Sequence, residues 1–250
     1  MSANEAEAPD VKPVLVLTDV SSGYGRTTVL RYVNLSVMQG QTVAVLGSNG
    51  AGKTTLLRTI TGLARLHSGR IEALGVDISS AAPFKRTQAG ICLIPEGRGI
   101  FRTLSVKDNL MLARPPWMQS DAGGLDRAVE LFPVLGERPS ALAGTLSGGQ
   151  QQMLALARAF ICEPSVVLVD EVSLGLAPIV VDAIFAALMQ LASKGISLVI
   201  VEQYVSRALE VADQVFLVRH GEIVDLGSPD GIDEAVLRED YLGVVGAQQT

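Results

Sequence analysis

Short apolar runs alternate with amphipathic segments through most of the chain, and this alternation predicts the fold. Apolar runs of this kind are typical of buried strands. The strands predicted are Val14–Leu17, Val29–Val37, Thr42–Leu46, Arg70–Val76, Ala89–Ile94, Val166–Val169, Leu198–Val201 and Val215–Val218. Apolar residues recurring at intervals of three and four, or runs of strong helix formers, predict helices at Thr54–Ala64, Val106–Ala113, Leu125–Leu135, Gln150–Phe160, Ile179–Leu191 and Asp233–Tyr241. Buried strands that alternate with helices imply a parallel sheet covered on both faces.

The lengths of the connections between predicted elements indicate subdomains within this fold. The first two strands flank a turn at Ser21–Arg26 and a third, Thr42–Leu46, follows closely after Gly40, which favours antiparallel pairing among these strands. Residues 96–160 are mainly helical and are expected to form an insertion. The fold class predicted from this pattern is α/β: a core with a mostly parallel sheet, an antiparallel β subdomain and an inserted helical subdomain.

Length and composition indicate one globular domain. The chain has 250 residues, of which 48% are apolar and 18% charged, and this length suits a single core with an insertion. We expect a disordered lead-in at 1–12, one domain at 13–243 and a tail at 244–250. No apolar run approaches the roughly 20 residues of a membrane span.

Charge and cysteine content indicate the class of partner and the cellular compartment. The net charge of −6 disfavours nucleic acid as a partner. Cys92 and Cys162 lack the paired spacing of disulfide or metal motifs. We therefore expect both to be small buried apolar residues in a reducing compartment. The polar N-terminus lacks the features of a signal peptide, so a cytoplasmic location is expected.

The segment Gly47–Thr55 reads GSNGAGKTT and carries the phosphate-loop spacing. A predicted strand precedes it and a predicted helix follows, which is the setting that this pattern requires. Backbone N–H groups and the helix N-terminus can surround phosphate oxygens, whereas the alternative is a chance glycine-rich turn. Lys53 would reach the β- and γ-phosphates and Thr54 would bind magnesium. The expected nucleotide contacts are Gly47, Ser48, Asn49, Gly50, Ala51, Gly52, Lys53, Thr54 and Thr55.

A second polar group follows the apolar run Val166–Val169, where Asp170 and Glu171 stand side by side. A buried parallel strand would place both carboxyl groups beside the phosphate loop. Asp170 would hold magnesium through water, and Glu171 would orient and deprotonate the attacking water. The alternative is a strand that ends in two solvated acids.

Residues Leu146–Gln150 read LSGGQ before a predicted helix, where Ser147 could be an ordinary N-cap. LSGGQ followed by an apolar run ending in Asp-Glu resembles the ATP-binding cassette (ABC) ATPases, over roughly residues 13–243. The resemblance implies that the predicted α/β fold is a P-loop ATPase core, the ABC ATPase cassette. It also implies a head-to-tail dimer that binds ATP and Mg²⁺ between one phosphate loop and the partner's Ser147, Gly148, Gly149 and Gln150.

Other positions follow from the same resemblance. Tyr24 lies where the family stacks an aromatic ring on adenine, although it could also be a turn tyrosine. The segment Ser173–Pro178 resembles the one that carries dimer contacts, and Val172 stands where a proline is usual. That replacement loosens a turn preference and removes no catalytic group.

Two positions narrow the subfamily. Glu96 replaces the usual glutamine after the strand ending at Ile94, and Gln203 replaces the usual switch histidine. With the segment GIFRTLSVKDNL after Arg98, these residues resemble the ATPases of branched-chain (hydrophobic) amino-acid importers, of which urea and short-chain amide importers are close relatives. Glu96 can still bind magnesium or its water.

The catalytic set follows from titration chemistry. Gln203 can hydrogen-bond the γ-phosphate but cannot titrate near neutral pH, so the role of general base passes to Glu171. The catalytic residues expected are Lys53, Glu171 and Gln203, and the magnesium ligands are Thr54, Asp170 and Glu96.

The resemblance also implies partners: membrane permease subunits docking beside Glu96–Phe101 and a second ABC ATPase subunit, as a heterodimer or a homodimer. A substrate-binding protein would act indirectly, and the chain would lie peripherally on the inner face of the membrane. One alternative is a soluble cassette of translation or DNA repair, but those have two cassettes or a long coiled coil. Another is a small-molecule kinase, which has no use for LSGGQ.

Overall fold

The computed structural model describes residues 12–117, 124–202, 204–233 and Leu237. The strands are β1 Pro13–Tyr24, β2 Thr27–Met38, β3 Thr42–Leu46, β4 Arg65–Ala73, β5 Val76–Asp77, β6 Ile91–Ile94, β7 Val166–Asp170, β8 Ser197–Val201, β9 Gln214–Arg219 and β10 Glu222–Gly227. The helices are α1 Lys53–Ile60, α2 Pro83–Gln88, α3 Val106–Ala113, α4 Gly124–Leu131, α5 Pro133–Gly136, α6 Gly148–Ile161, α7 Pro178–Ser193 and α8 Val205–Val211. The predicted α/β class is confirmed.

The central sheet has the order β10-β9-β3-β8-β7-β6 and is parallel except for β10. Alternate residues of its strands face opposite layers, as a two-residue period requires. In β7, Val166 and Leu168 pack in the layer with α1 and the antiparallel sheet, whereas Val167 and Val169 pack with α6 and α7. The sheet is therefore covered on both faces.

The second sheet is antiparallel with the order β2-β1-β4-β5. The expected antiparallel pairing of the first two strands is confirmed, but the extension of that pairing to Thr42–Leu46 is wrong. Strand β3 lies between β8 and β9 and is parallel to both. All five of its residues are buried, and a strand buried on both faces belongs in the covered parallel sheet and not in an outer one.

The helical insertion runs from α3 to α6, and α3, α4 and α5 pack against α6. Leu110 of α3, Leu135 of α5 and Leu154 of α6 share a hydrophobic cluster with Val167 of β7. This shared cluster fixes the insertion against one face of the parallel sheet.

Local chemistry explains why some predicted elements have different bounds. Helix α1 stops at Ile60, because Gly62 takes the left-handed conformation, with φ 78°, that commonly ends helices. The predicted helix Leu125–Leu135 is divided before Pro133, which has no N–H to continue it.

Three elements were not predicted and one lies mostly beyond the description. Helices α2 and α8 and strand β10 are short or weakly patterned. The predicted helix Asp233–Tyr241 falls largely outside the described residues, within which Leu237 is helical and buried. The lead-in before Lys12, the tail 244–250 and Gln203 also lie outside them.

Two further features concern isolated residues and helix length. The cysteines are neighbours in space: the Cys162 thiol is the main cause that raises the pKa of Cys92, with burial adding to it. The sequence had suggested no relation between them. Within the described ranges, no helix has the length and apolar character needed to cross a membrane.

Candidate functional site

The phosphate loop connects the end of β3 to the start of α1, as predicted. Gly47 and Gly52 have φ values of 154° and 119°, which side chains other than glycine rarely adopt. A Cβ atom on Gly47 would lie 2.6 Å from the Val218 carbonyl oxygen. The loop therefore requires glycine both for its backbone conformation and for its contact with β9.

Lys53 is the first residue of α1, and its side chain folds back over the loop. Its Nζ donates to the carbonyl oxygens of Gly47 at 2.7 Å and Ser48 at 3.2 Å, and it lies 3.3 Å from Oε1 of Glu171. The side chain is 4% exposed. The ammonium group is thus held among oxygen atoms at the mouth of the loop, where phosphate oxygens would compete for it.

Thr54 and Asp170 come from separate elements and meet beside Lys53. The Thr54 hydroxyl donates to Asp170 Oδ1 at 3.1 Å. Burial raises the pKa of Asp170 to about 6, against the opposing effect of the Thr54 bond, and the nearby carboxylates of Glu171 and Glu96 add to the increase. A cation would reverse these effects by stabilising the charged carboxylate.

These oxygen donors fit magnesium. Hydroxyl and carboxylate oxygens are ligands that Mg²⁺ accepts, and this ion is usually held by one or two protein groups together with phosphates and water. In the part of the chain that the structure describes, no group of three or more His, Cys, Asp or Glu forms a complete protein cage. Thr54 and Asp170 therefore suit an ion that arrives with a nucleotide.

Glu171 follows β7 and points into the same cleft. Its φ is 46°, a left-handed conformation that is uncommon for a residue with a side chain and is concentrated at functional sites. Its N–H donates to the Val201 carbonyl oxygen at 2.9 Å, which fixes the turn. The side chain is 11% exposed, so the carboxylate is shielded yet accessible from the cleft.

The cleft itself has a volume of about 350 Å³ and brings together eight of the predicted residues. Its lining consists of Val29, Asn49, Gly50, Gly52, Lys53, Thr54, Thr55, Glu96, Glu171 and Leu174. Val29 was missed, since an apolar side chain that lines a cleft has no distinctive sequence signal, and Leu174 was expected only within the dimer-contact segment Ser173–Pro178. The inclusion of Glu96 is notable because it comes from the segment after β6, remote from the loop in sequence.

Tyr24 is placed at the end of β1, on the surface. The residue is 44% exposed, it is not among those that line the cleft, and its hydroxyl accepts a hydrogen bond from Arg58 Nη1 at 3.4 Å. This bond is the main cause that raises the pKa of Arg58, with smaller effects from Asp170 and Glu96. Arg58 was not among the predicted site residues, although its position one helical turn after Thr54 could have indicated it.

The LSGGQ segment lies apart from the residues that line the cleft and begins α6. Ser147 Oγ accepts from the Gln150 N–H at 3.3 Å, and Gln150 Oε1 accepts from the Ser147 N–H at 3.1 Å. This reciprocal capping box confirms the interpretation of Ser147 as an N-cap.

The two glycines of the segment also have a packing reason. A Cβ on Gly149 would lie 2.7 Å from Val180 of α7, and one on Gly148 would lie 3.1 Å from the Arg98 guanidinium. The role of Ser147–Gln150 in binding the ATP of a partner subunit therefore remains a prediction.

Comparison with known proteins identifies the family. Residues 22–173 match the family model described as ABC transporter. The chain is 38% identical to the high-affinity branched-chain amino acid transport ATP-binding protein BraG of Pseudomonas aeruginosa, covering 92% of this chain and all of the relative. It is 33% identical to the lipopolysaccharide export system ATP-binding protein LptB of Haemophilus influenzae, covering 92% of this chain and 97% of the relative.

A solved structure agrees with these sequence relatives. An ATP-binding subunit of an ABC transporter superimposes with a TM-score of 0.82 at 26% identity, covering 92% of this chain and 99% of the other. The chain belongs to the ABC transporter family. It is an ATPase cassette, the component that hydrolyses ATP to power transport.

Proposed function

We propose that this chain is the ATP-hydrolysing subunit of an importer of branched-chain amino acids. The observation that carries this proposal is the similarity to BraG, which extends over 92% of this chain and the whole of the relative. The acidic residue at Glu96 and the glutamine at Gln203, both typical of that subfamily, support it.

The cleft geometry supports a division of roles among the residues. Lys53 and the loop N–H groups would hold the phosphates of ATP, and Thr54, Asp170 and Glu96 would hold Mg²⁺ directly or through water. The ion supplies charge neutralisation at the β- and γ-phosphates.

The remaining step is proton transfer. Glu171 would orient the attacking water and accept its proton as the γ-phosphate is cleaved. Gln203 would donate a hydrogen bond to the γ-phosphate, and Tyr24 would stack on the adenine.

A second copy or a related subunit would complete the site. The LSGGQ residues do not line the cleft of their own chain, whereas the N-terminus of α6 offers N–H groups suited to an anion. We infer a head-to-tail dimer in which Ser147, Gly148, Gly149 and Gln150 cover the partner's ATP. A heterodimer is proposed for the working importer, and a homodimer is the alternative.

ATP binding would close the dimer and hydrolysis would reopen it, and the helical insertion would transmit this movement to the permease subunits. The segment Glu96–Phe101 joins the cleft to the helical insertion, and Phe101 is 49% exposed. We propose that a permease helix docks beside this segment, so that the chain works on the inner face of the membrane, with a substrate-binding protein delivering cargo on the other side.

The cargo has an alternative within the same class. An importer of urea or short-chain amides would use the same cassette, since no residue of the cleft would contact the cargo. The similarity to LptB, named for lipopolysaccharide export, is consistent with a cassette that serves different cargoes.

Uptake by cells tests the proposal. Cells lacking this chain would be complemented with the wild type or with Glu171→Gln, and uptake of labelled leucine, urea and acetamide would be compared. Loss of high-affinity leucine uptake only with Glu171→Gln supports the proposal. Unchanged leucine uptake together with lost urea or acetamide uptake would overturn the amino-acid cargo and leave the importer class in place.

A further inference from the structure

We propose that Glu202 is a positioning residue for ATP hydrolysis. By binding Ser173, it holds in place the loop that carries Glu171. The inference rests on the proposed role of Glu171 as general base. Glu202 follows the last residue of β8 and is 1% exposed. Because it is buried away from the cleft, it would act on the reaction only through other residues.

Both oxygens of the Glu202 carboxylate bind the same residue. Oε1 accepts from the Ser173 N–H at 3.2 Å, and Oε2 accepts from the Ser173 hydroxyl at 2.5 Å. Ser173 is itself 1% exposed. A carboxylate suits this arrangement because it only accepts hydrogen bonds, whereas a carboxamide would turn an N–H₂ group towards one of the two donors.

The backbone explains why this side chain is needed. Strands β7 and β8 pair in parallel as far as Asp170 and Val201, and the Glu171 N–H then donates to the Val201 carbonyl oxygen at 2.9 Å. The left-handed conformation of Glu171, φ 46°, turns the chain out of the ladder. Beyond this turn Glu202 satisfies the buried Ser173 N–H, which the strand no longer pairs.

The backbone at Glu171, the residue proposed as general base, is therefore fixed on both sides. Its own N–H is bonded to residue 201, the residue two positions later is bonded to residue 202, and Val172 between them is 3% exposed. Position 202 also precedes Gln203 directly. Glu202 thus connects the loop of the proposed general base to the end of β8.

The experiment compares Glu202→Gln, Ser173→Ala and the double variant with the wild type. The kcat and KM for MgATP and the melting temperature would be measured for each purified chain. Loss of a buried hydrogen bond to a charged group is expected to lower kcat by roughly tenfold. The KM should stay within about twofold of the wild-type value, because the phosphate loop and Lys53 are unchanged.

The double variant separates a paired role from two independent effects. With alanine at 173 and glutamine at 202, the carboxamide oxygen can accept the remaining N–H and its N–H₂ group faces the space left by the hydroxyl. The double variant should be no slower than the slower single variant. A kcat loss equal to the product of the two single losses would overturn the pairing.

A hydroxyl pair outside the residues that line the cleft provides the control. Ser22 is fully buried and its hydroxyl lies 2.6 Å from that of Thr59, so Ser22→Ala also removes a buried hydrogen bond. We expect its kcat to remain near that of the wild type. An equal loss of kcat in Ser22→Ala, or a loss of ATP affinity equal to the loss of kcat in Glu202→Gln, would indicate a merely structural role and overturn the inference.

Glu171→Gln in the same assay separates the two proposals. If Glu171→Gln turns over ATP at the wild-type rate, the general-base assignment fails, and the positioning role fails with it. If Glu171→Gln is inactive while Glu202→Gln and Ser173→Ala keep the wild-type kcat, the positioning role alone is overturned.

Discussion

Lys53 and Glu171 form an ion pair, with Nζ of the phosphate-loop lysine 3.3 Å from Oε1 of the glutamate. The partners lie far apart in sequence, and their side chains are only 4% and 11% exposed. A γ-phosphate entering the cleft would have to compete with Glu171 for the lysine. Binding of ATP would thereby release the carboxylate that we propose as the general base.

The Glu171→Gln variant should bind ATP at least as well as the wild type while losing turnover. The amide removes the negative charge that competes for Lys53, and it cannot accept the proton of the attacking water. We expect kcat to fall by about 100-fold or more, with an ATP-bound dimer accumulating. Steady-state hydrolysis, nucleotide titration and light scattering would measure these effects.

The matched control for this variant is Glu222→Gln on β10, which removes an exposed carboxylate and should change neither quantity. Near-normal hydrolysis by Glu171→Gln would contradict its assignment as the general base.

Asp170→Asn should stabilise the chain when nucleotide and magnesium are absent. Burial raises the pKa of Asp170 from 3.8 to about 6, so the folded state binds more protons than the unfolded state between these values. The stability that the protonated form confers is full below about pH 4 and is lost as the pH rises through 6. At pH 8 the asparagine should therefore raise the free energy of unfolding by up to about 2–3 kcal/mol.

Urea unfolding at pH 8 and pH 4 would measure this difference, which should nearly vanish at the lower pH. A gain of the same size at both values would show that removal of the buried charge is not its cause. Magnesium-dependent turnover should be lost in the same variant.

Arg102→Glu should uncouple transport from hydrolysis. Arg102 is exposed beside the proposed docking segment, so reversing its charge would disturb a permease contact without altering the cleft. Arg98 is less suitable, because its Nη1 donates to Gln151 Oε1 of α6. We expect lower leucine uptake with unchanged ATP hydrolysis by the purified chain.

Lys194→Glu, at the end of α7, reverses a second exposed charge and should leave uptake unchanged. Wild-type uptake by Arg102→Glu would argue against the docking position but not against the ATPase function.

Gln203→His should introduce a new pH dependence. Glutamine does not titrate, so the wild type should show no loss of hydrolysis near pH 6.5 that depends on this position. A histidine titrates there, and the variant should show a change in kcat centred near this pH. Rate profiles from pH 5.5 to 8.5 for both proteins would measure it, and identical profiles would contradict a γ-phosphate contact at position 203.

Residues that act within one short stretch could be recognised from the sequence. The loop from Gly47 to Thr54 carries its chemistry in consecutive residues, and the apolar run before Asp170 indicates a buried strand with acids at its end. The α/β class follows for the same reason, because strand and helix periods are local properties of the chain. The family resemblance added the assignments of Tyr24, Glu96 and Gln203.

Tertiary structure alone decided which of these stretches meet. It placed β3 in the parallel sheet, Thr54 against Asp170, and Ser173 on Glu202, and Tyr24 is not among the residues that line the cleft. Such contacts join residues far apart in sequence, and the packing of whole layers determines them. The sequence by itself therefore determined the chemical groups and their local elements, while burial and strand order determined their partners, because hydrophobic periodicity specifies which face of an element is covered but not which element covers it.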